Sequence, residues 1–132
     1  MKNTFTLILF FAYVFMASAQ DNTDLENSHD HPMITRMNNY LIGEFEQNYD
    51  RVEMQVSDEV FKDIDGNRTH LYYFFNEGSG GKHPSIFQIV KNHENAIKKL
   101  GGKTVYHDGQ GTATFNVKKN GTDVWVKLVA AN

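Results

Sequence analysis

A chain of 132 residues with a formal net charge of −3 and no cysteine excludes a disulfide framework, a thiol nucleophile and a lipid-modified cysteine. The acidic balance also argues against a nucleic-acid binder. Length allows one domain, and ten Phe, six Tyr and one Trp supply the large side chains that a small unstapled core needs.

Lys2 precedes an apolar run over residues 7–16, which gives way to Ala17-Ser18-Ala19. Residues 1–19 therefore read as a cleavable secretion signal with Gln20 as the new N-terminus. The run is shorter than the about 20 apolar residues of a membrane-spanning helix, and no later stretch is long and apolar enough to span a bilayer. The expected mature protein is an exported soluble domain over residues 32–132. It follows a flexible leader, residues 20–31, whose single Leu25 offers little surface to offset the entropy of ordering it.

A first strand is expected over 40–46 and a second over 49–56, where Val52, Met54 and Val56 alternate with Arg51, Glu53 and Gln55. Asp63-Ile64-Asp65-Gly66-Asn67 carries turn chemistry and leads into a third strand over 69–75. Leu71, Tyr73 and Phe75 lie on one face of this strand and His70, Tyr72 and Phe74 on the other. Two aromatic faces suggest a central strand. The glycine-rich stretch 76–82 reads as a mobile loop. Pro84 suits a first helical turn, and Ile86, Ile89 or Val90, His93, Ile97 and Leu100 form a helical stripe. Lys98 and Lys99 favour the helix C-terminus, and Gly101-Gly102 supply a left-handed stop.

Three further strands, 103–107, 112–118 and 123–130, are separated by turns at Asp108-Gly109 and at Asn120-Gly121, the favoured two-residue hairpin pair. The expected fold is α+β: an antiparallel sheet of about five to six strands with one helix packed on a face, in the order β-β-β-α-β-β-β. Carboxylates crowd the first half, from Glu44 to Asp65, and lysines the second, from Lys91 to Lys127. The expected arrangement is two faces that complement each other within the fold.

The motifs that could carry chemistry fail on spacing or context. His29-Asp30-His31 has metal-ligating side chains but lies in the leader. Asp63, Asp65 and Asn67 imitate a calcium loop, with Arg68 where glycine is needed and Phe74 where the closing acid should be. Glu44 and Glu46 share a strand face and read as solubilising edge residues. Gly78, Gly80 and Gly81 match no phosphate-loop spacing. Asn67-Arg68-Thr69 and Asn120-Gly121-Thr122 fit the glycosylation pattern, but both coincide with expected turns that themselves call for Asn. No catalytic, cofactor-binding or metal-ligating residue is assigned and no cofactor is expected. The candidate interaction or ligand face consists of His70, Tyr72, Phe74, His93 and Trp125.

His31-Pro32-Met33-Ile34-Thr35-Arg36-Met37, the segment from Ser85 through Asn92-His93-Glu94-Asn95 to Gly101-Gly102, and the closing strand Asp123-Val124-Trp125-Val126-Lys127-Leu128 carry a resemblance. Over residues 31–130 the chain resembles the N-terminal domain of some bacterial OmpA-family envelope proteins. The resemblance implies a location in the periplasm or at the outer-membrane periphery of a Gram-negative bacterium, in a domain without established catalytic residues. The sequence stops at Asn132, where the peptidoglycan-binding domain of longer members would follow, so that activity is not carried over. The expectation is an exported, non-enzymatic envelope module that recognises a protein or another envelope component through an exposed sheet edge. The alternative is a small periplasmic enzyme or ligand carrier using the aromatic sheet face, with His93, His70 or Tyr72 meeting a carboxylate in a cleft.

Overall fold

A computed structural model describes residues 23–131. The expected secretion signal and the first residues of the leader lie outside the described residues. The elements are β1 (Tyr40–Gln55), β2 (Phe61–Phe75), a single 3₁₀ turn at Glu77–Ser79, α1 (Ile86–Lys99), β3 (Lys103–His107), β4 (Thr112–Lys119) and β5 (Thr122–Val129). The class is α+β. The single sheet of five to six strands is not formed; the strands divide into a two-stranded sheet, β1-β2, and a three-stranded sheet, β3-β4-β5, both antiparallel.

The first two expected strands are one. β1 runs unbroken for 16 residues against 15 of β2, and the expected turn at Asp63–Asn67 lies inside β2. There Asp63 faces Glu53, Asp65 faces Arg51 and Asn67 faces Tyr49. Cross-strand pairing overrides local turn chemistry: the Arg51 guanidinium holds Asp65 with Nε–Oδ1 at 2.6 Å and Nη2–Oδ2 at 3.0 Å. The chain reverses instead at 56–60, where the Val56 and Ser57 N–H groups both donate to the Val60 carbonyl. The segment 69–75 is not central, because among the described residues β2 pairs with β1 alone.

Helix α1 follows its apolar stripe and its Gly101-Gly102 stop, but it begins after the expected first turn at Pro84. Ser85 is the N-cap: its hydroxyl accepts from the Gln88 N–H, and the Gln88 side chain accepts from the Ser85 N–H, a reciprocal box that satisfies two otherwise orphaned donors. Pro84 sits just before this cap, outside the helix. At the other end the Gly102 N–H reaches the Ile97 carbonyl and the Gly101 N–H that of Lys98, with Gly101 left-handed at φ 81°. This double bond pattern terminates the helix. Asn120 and Gly121 both take positive φ, 50° and 77°, and close β4 onto β5 from Lys119 to Thr122, as that turn type requires.

β4 is the centre of the molecule. Ala113, Phe115 and Val117 point to one face and are fully buried with Ile97 of α1; Met33, Ile34, Val90, Leu100, Val124, Val126 and Leu128 pack around them. Burying a side chain such as Phe115 contributes roughly 1.5–3 kcal/mol relative to leaving it exposed. On the opposite face Thr114 and Asn116 are also buried, and the far end of the β1-β2 hairpin reaches this side. Lys62 lies over the Trp125 ring at 5.0 Å, Tyr106 donates to Asp58 and Lys127 to the Glu53 carbonyl. Met54, paired with Lys62, is buried in the same region. The Asn116 amide is satisfied by Asp123 and the Val124 carbonyl, at 2.6 and 3.1 Å.

Two further expectations are corrected. Residues 24–31 are not a free leader: Leu25 donates its N–H to the Ile42 carbonyl, Asp24 and Asp30 bind Arg36, and Tyr73 donates to Asp30. Nor do the two charged halves pair with each other. Among the described residues every ion pair lies within the N-terminal segment, the hairpin, the connecting loop or α1. The acidic hairpin meets the three-stranded sheet through Lys62 on the Trp125 ring, the Asp58 carboxylate that accepts from Tyr106, and the Glu53 carbonyl that accepts from Lys127.

Candidate functional site

The period of two along β2 places His70, Tyr72 and Phe74 on one face, and the structure brings these three together. A β-bulge at Gly43 shifts the register of β1 between Ile42 and Glu44. The Tyr72 and Phe74 rings flank the bare glycine, where an added Cβ would lie 3.1 Å from each. Aromatic rings here cover backbone that no side chain covers. His70 Nε2 lies 3.3 Å from Glu44 Oε2, with the two side chains 42% and 67% exposed. A histidine does meet a carboxylate, but on an open sheet face and outside any cleft.

The other two candidates are elsewhere. His93 is half-buried on α1, and its Nδ1 donates to the Ile89 carbonyl one turn back at 2.8 Å, a bond internal to the helix. Trp125 lies at the junction of β5 with the hairpin, capped by Lys62 and donating to Asp123 at 3.3 Å. The Asp123 carboxyl is held below the usual carboxylate range by the amide of Asn116 and, to a lesser degree, by the Trp125 N–H. The five residues therefore form one cluster of three and two separate positions.

Concavities are shallow. One groove of about 520 Å³ runs between α1 and β3, lined by Glu94, Lys98, Thr104, Tyr106 and His107 among others. Lys98 and Lys91 hold Glu94 ionised, lowering its pKa. A second, of about 360 Å³, lies on the hairpin between Gln47, Tyr49, Asn67 and Arg68. Neither contains any of the five candidates. No cluster of metal-ligating side chains occurs among the described residues, and no helix there is long and apolar enough to cross a membrane.

Sequence reasoning named Tyr72 but missed Tyr49 and Phe61 on the same hairpin. Tyr49 is 76% exposed, and Phe61 and Tyr72 are each 53% exposed, on a sheet whose two strands, among the described residues, pair only with each other. The signal available was the length of the alternating pattern on both sides of 63–67, which the turn residues interrupt. Compared with protein families, curated proteins and solved structures, the chain matches none.

Proposed function

We propose that the chain is an exported, non-enzymatic interaction module of a bacterial envelope, and that it engages a protein or another envelope component through the β1-β2 hairpin. The observation that supports this reading is the exposure of Tyr49, Tyr72 and Phe61 on a long two-stranded sheet. Exposed tyrosines offer large contact area at small entropic cost, and an unpaired strand edge can accept a further strand. Single exposed apolar residues are ordinary on protein surfaces; several exposed aromatics along one strand pair are less so.

The test is affinity capture from envelope extracts after cross-linking, with the wild-type chain beside a Tyr49→Ser/Tyr72→Ser variant shown by circular dichroism to be folded. A reproducible partner that the variant loses supports the reading. Equal capture by both chains contradicts the hairpin as the surface. No partner, together with a melting temperature raised by a small molecule, favours the ligand-carrier alternative.

A further inference from the structure

We propose that the base of the hairpin is a binding site for an acidic peptide segment, and that residues 24–31 occupy it as a built-in ligand. The receiving groups are the Arg36 guanidinium, the Tyr73 hydroxyl, the Phe45 ring and the main-chain N–H and C=O of Ile42. Ile42 is opposite Tyr73 in the β1-β2 register, yet its N–H goes to Asp24 Oδ1 at 3.0 Å and its C=O accepts the Leu25 N–H at 2.9 Å. These two groups therefore face the outer edge of β1, and the segment occupies them as an added strand would.

The carboxylates complete the attachment. Arg36 Nε lies 3.1 Å from both oxygens of Asp30, and Nη1 binds Asp24. The Tyr73 hydroxyl donates to Asp30 at 2.7 Å. Arg36 is itself positioned over the Tyr73 ring, 5.8 Å from its centroid, and donates to the Tyr40 carbonyl at 3.4 Å. His29 packs on Phe45 with ring centroids 4.7 Å apart.

What holds the segment is mostly polar. Its one aliphatic side chain, Leu25, remains 46% exposed, and it forms no strand ladder with β1. A segment bound by one cation, one hydroxyl and one main-chain pair is held as ligands are, by charge-assisted bonds that salt weakens where they are exposed. The class of ligand follows: an extended peptide with carboxylates six residues apart and an aliphatic residue after the first. This rests on the reading of the chain as an interaction module, but its test needs no partner.

The test uses the full chain carrying Asp24→Asn and Asp30→Asn, to loosen the resident segment, titrated with a synthetic peptide of residues 23–31 and followed by amide NMR. Saturable shifts at Ile42, Phe45 and Tyr73 are expected, with affinity at least tenfold higher than for the wild-type chain and lost when the peptide carries Asn at both Asp positions. Shifts elsewhere, no binding, or equal binding of the Asn peptide overturn the proposal. A variant that loses its native spectrum overturns it too, since the segment is then part of the fold. In the wild-type chain, hydrogen exchange at Ile42 should quicken with added salt while Phe115 does not; equal protection of both at high salt contradicts it.

Discussion

Gly101 and Gly102 end the helix as a pair, but for different physical reasons, and alanine substitution separates them. At Gly101 φ is 81° with nothing within 4 Å of an added Cβ, so Gly101→Ala costs only the left-handed strain of about 1–2 kcal/mol. At Gly102 an added Cβ would lie 2.6 Å from Val117 Cγ2, 2.7 Å from Ile97 Cγ2 and 2.8 Å from the Asn116 carbonyl oxygen. Val117 and Ile97 are 0% and 1% exposed, and the oxygen belongs to the central strand, so none of the three can yield easily. Overpacking of this kind costs about 1–3 kcal/mol, and with three such contacts Gly102→Ala belongs at the upper end, near 3 kcal/mol. For a domain of this size about 1 kcal/mol moves the melting temperature by about 4–8 °C. Gly102→Ala should therefore lower it by roughly 12–24 °C and Gly101→Ala by about 4–16 °C. Urea unfolding followed by far-ultraviolet circular dichroism checks the ranking, with an unchanged slope showing that the unfolded state is unaltered. If Gly101→Ala proves the more damaging, the packing of the helix end against β4 is wrong.

Ser85→Ala removes one half of the capping box and should cost about 1 kcal/mol, read as earlier urea unfolding; a neutral result would mean that the Gln88 side chain alone caps the helix. Burial first, and the nearby His29 second, hold the His31 pKa below its ordinary 6.5, and its Nδ1 accepts the Met33 N–H as only a neutral ring can. Its contribution to stability is therefore present above pH 6.5 and lost as pH falls through the lower native value. An NMR titration should give His31 a midpoint under 6.5, and one at or above 6.5 would refute the assignment.

Elements specified by local chemistry were legible in the sequence. The helix with its apolar stripe and Gly101-Gly102 stop, and the β4-β5 hairpin closed by Asn120-Gly121, depend on residues a few positions apart, whereas the Ser85 cap went unread beside Pro84. The long hairpin did not yield to the same reading, because Asp63, Asp65 and Asn67 favour a turn in isolation and are held extended only by residues on β1, with Arg51 gripping Asp65 from 14 positions away. The docked N-terminal segment was hidden for the same reason. Its carboxylates look like those of a solvated tail until Arg36 and Tyr73 are brought to them. Within the candidate face, the shared side of His70, Tyr72 and Phe74 was readable from strand periodicity. The separation of His93 and Trp125 from it follows from the division into two sheets, which alternation alone does not encode.

Docking through the hairpin is tested most directly by placing a photo-cross-linking phenylalanine analogue at Tyr49 in the full chain, and separately at Phe87, which is 75% exposed but lies on α1. Irradiation of intact cells should give a discrete adduct from Tyr49 and none from Phe87. An adduct from Phe87 alone, or the same adduct from both, would contradict it.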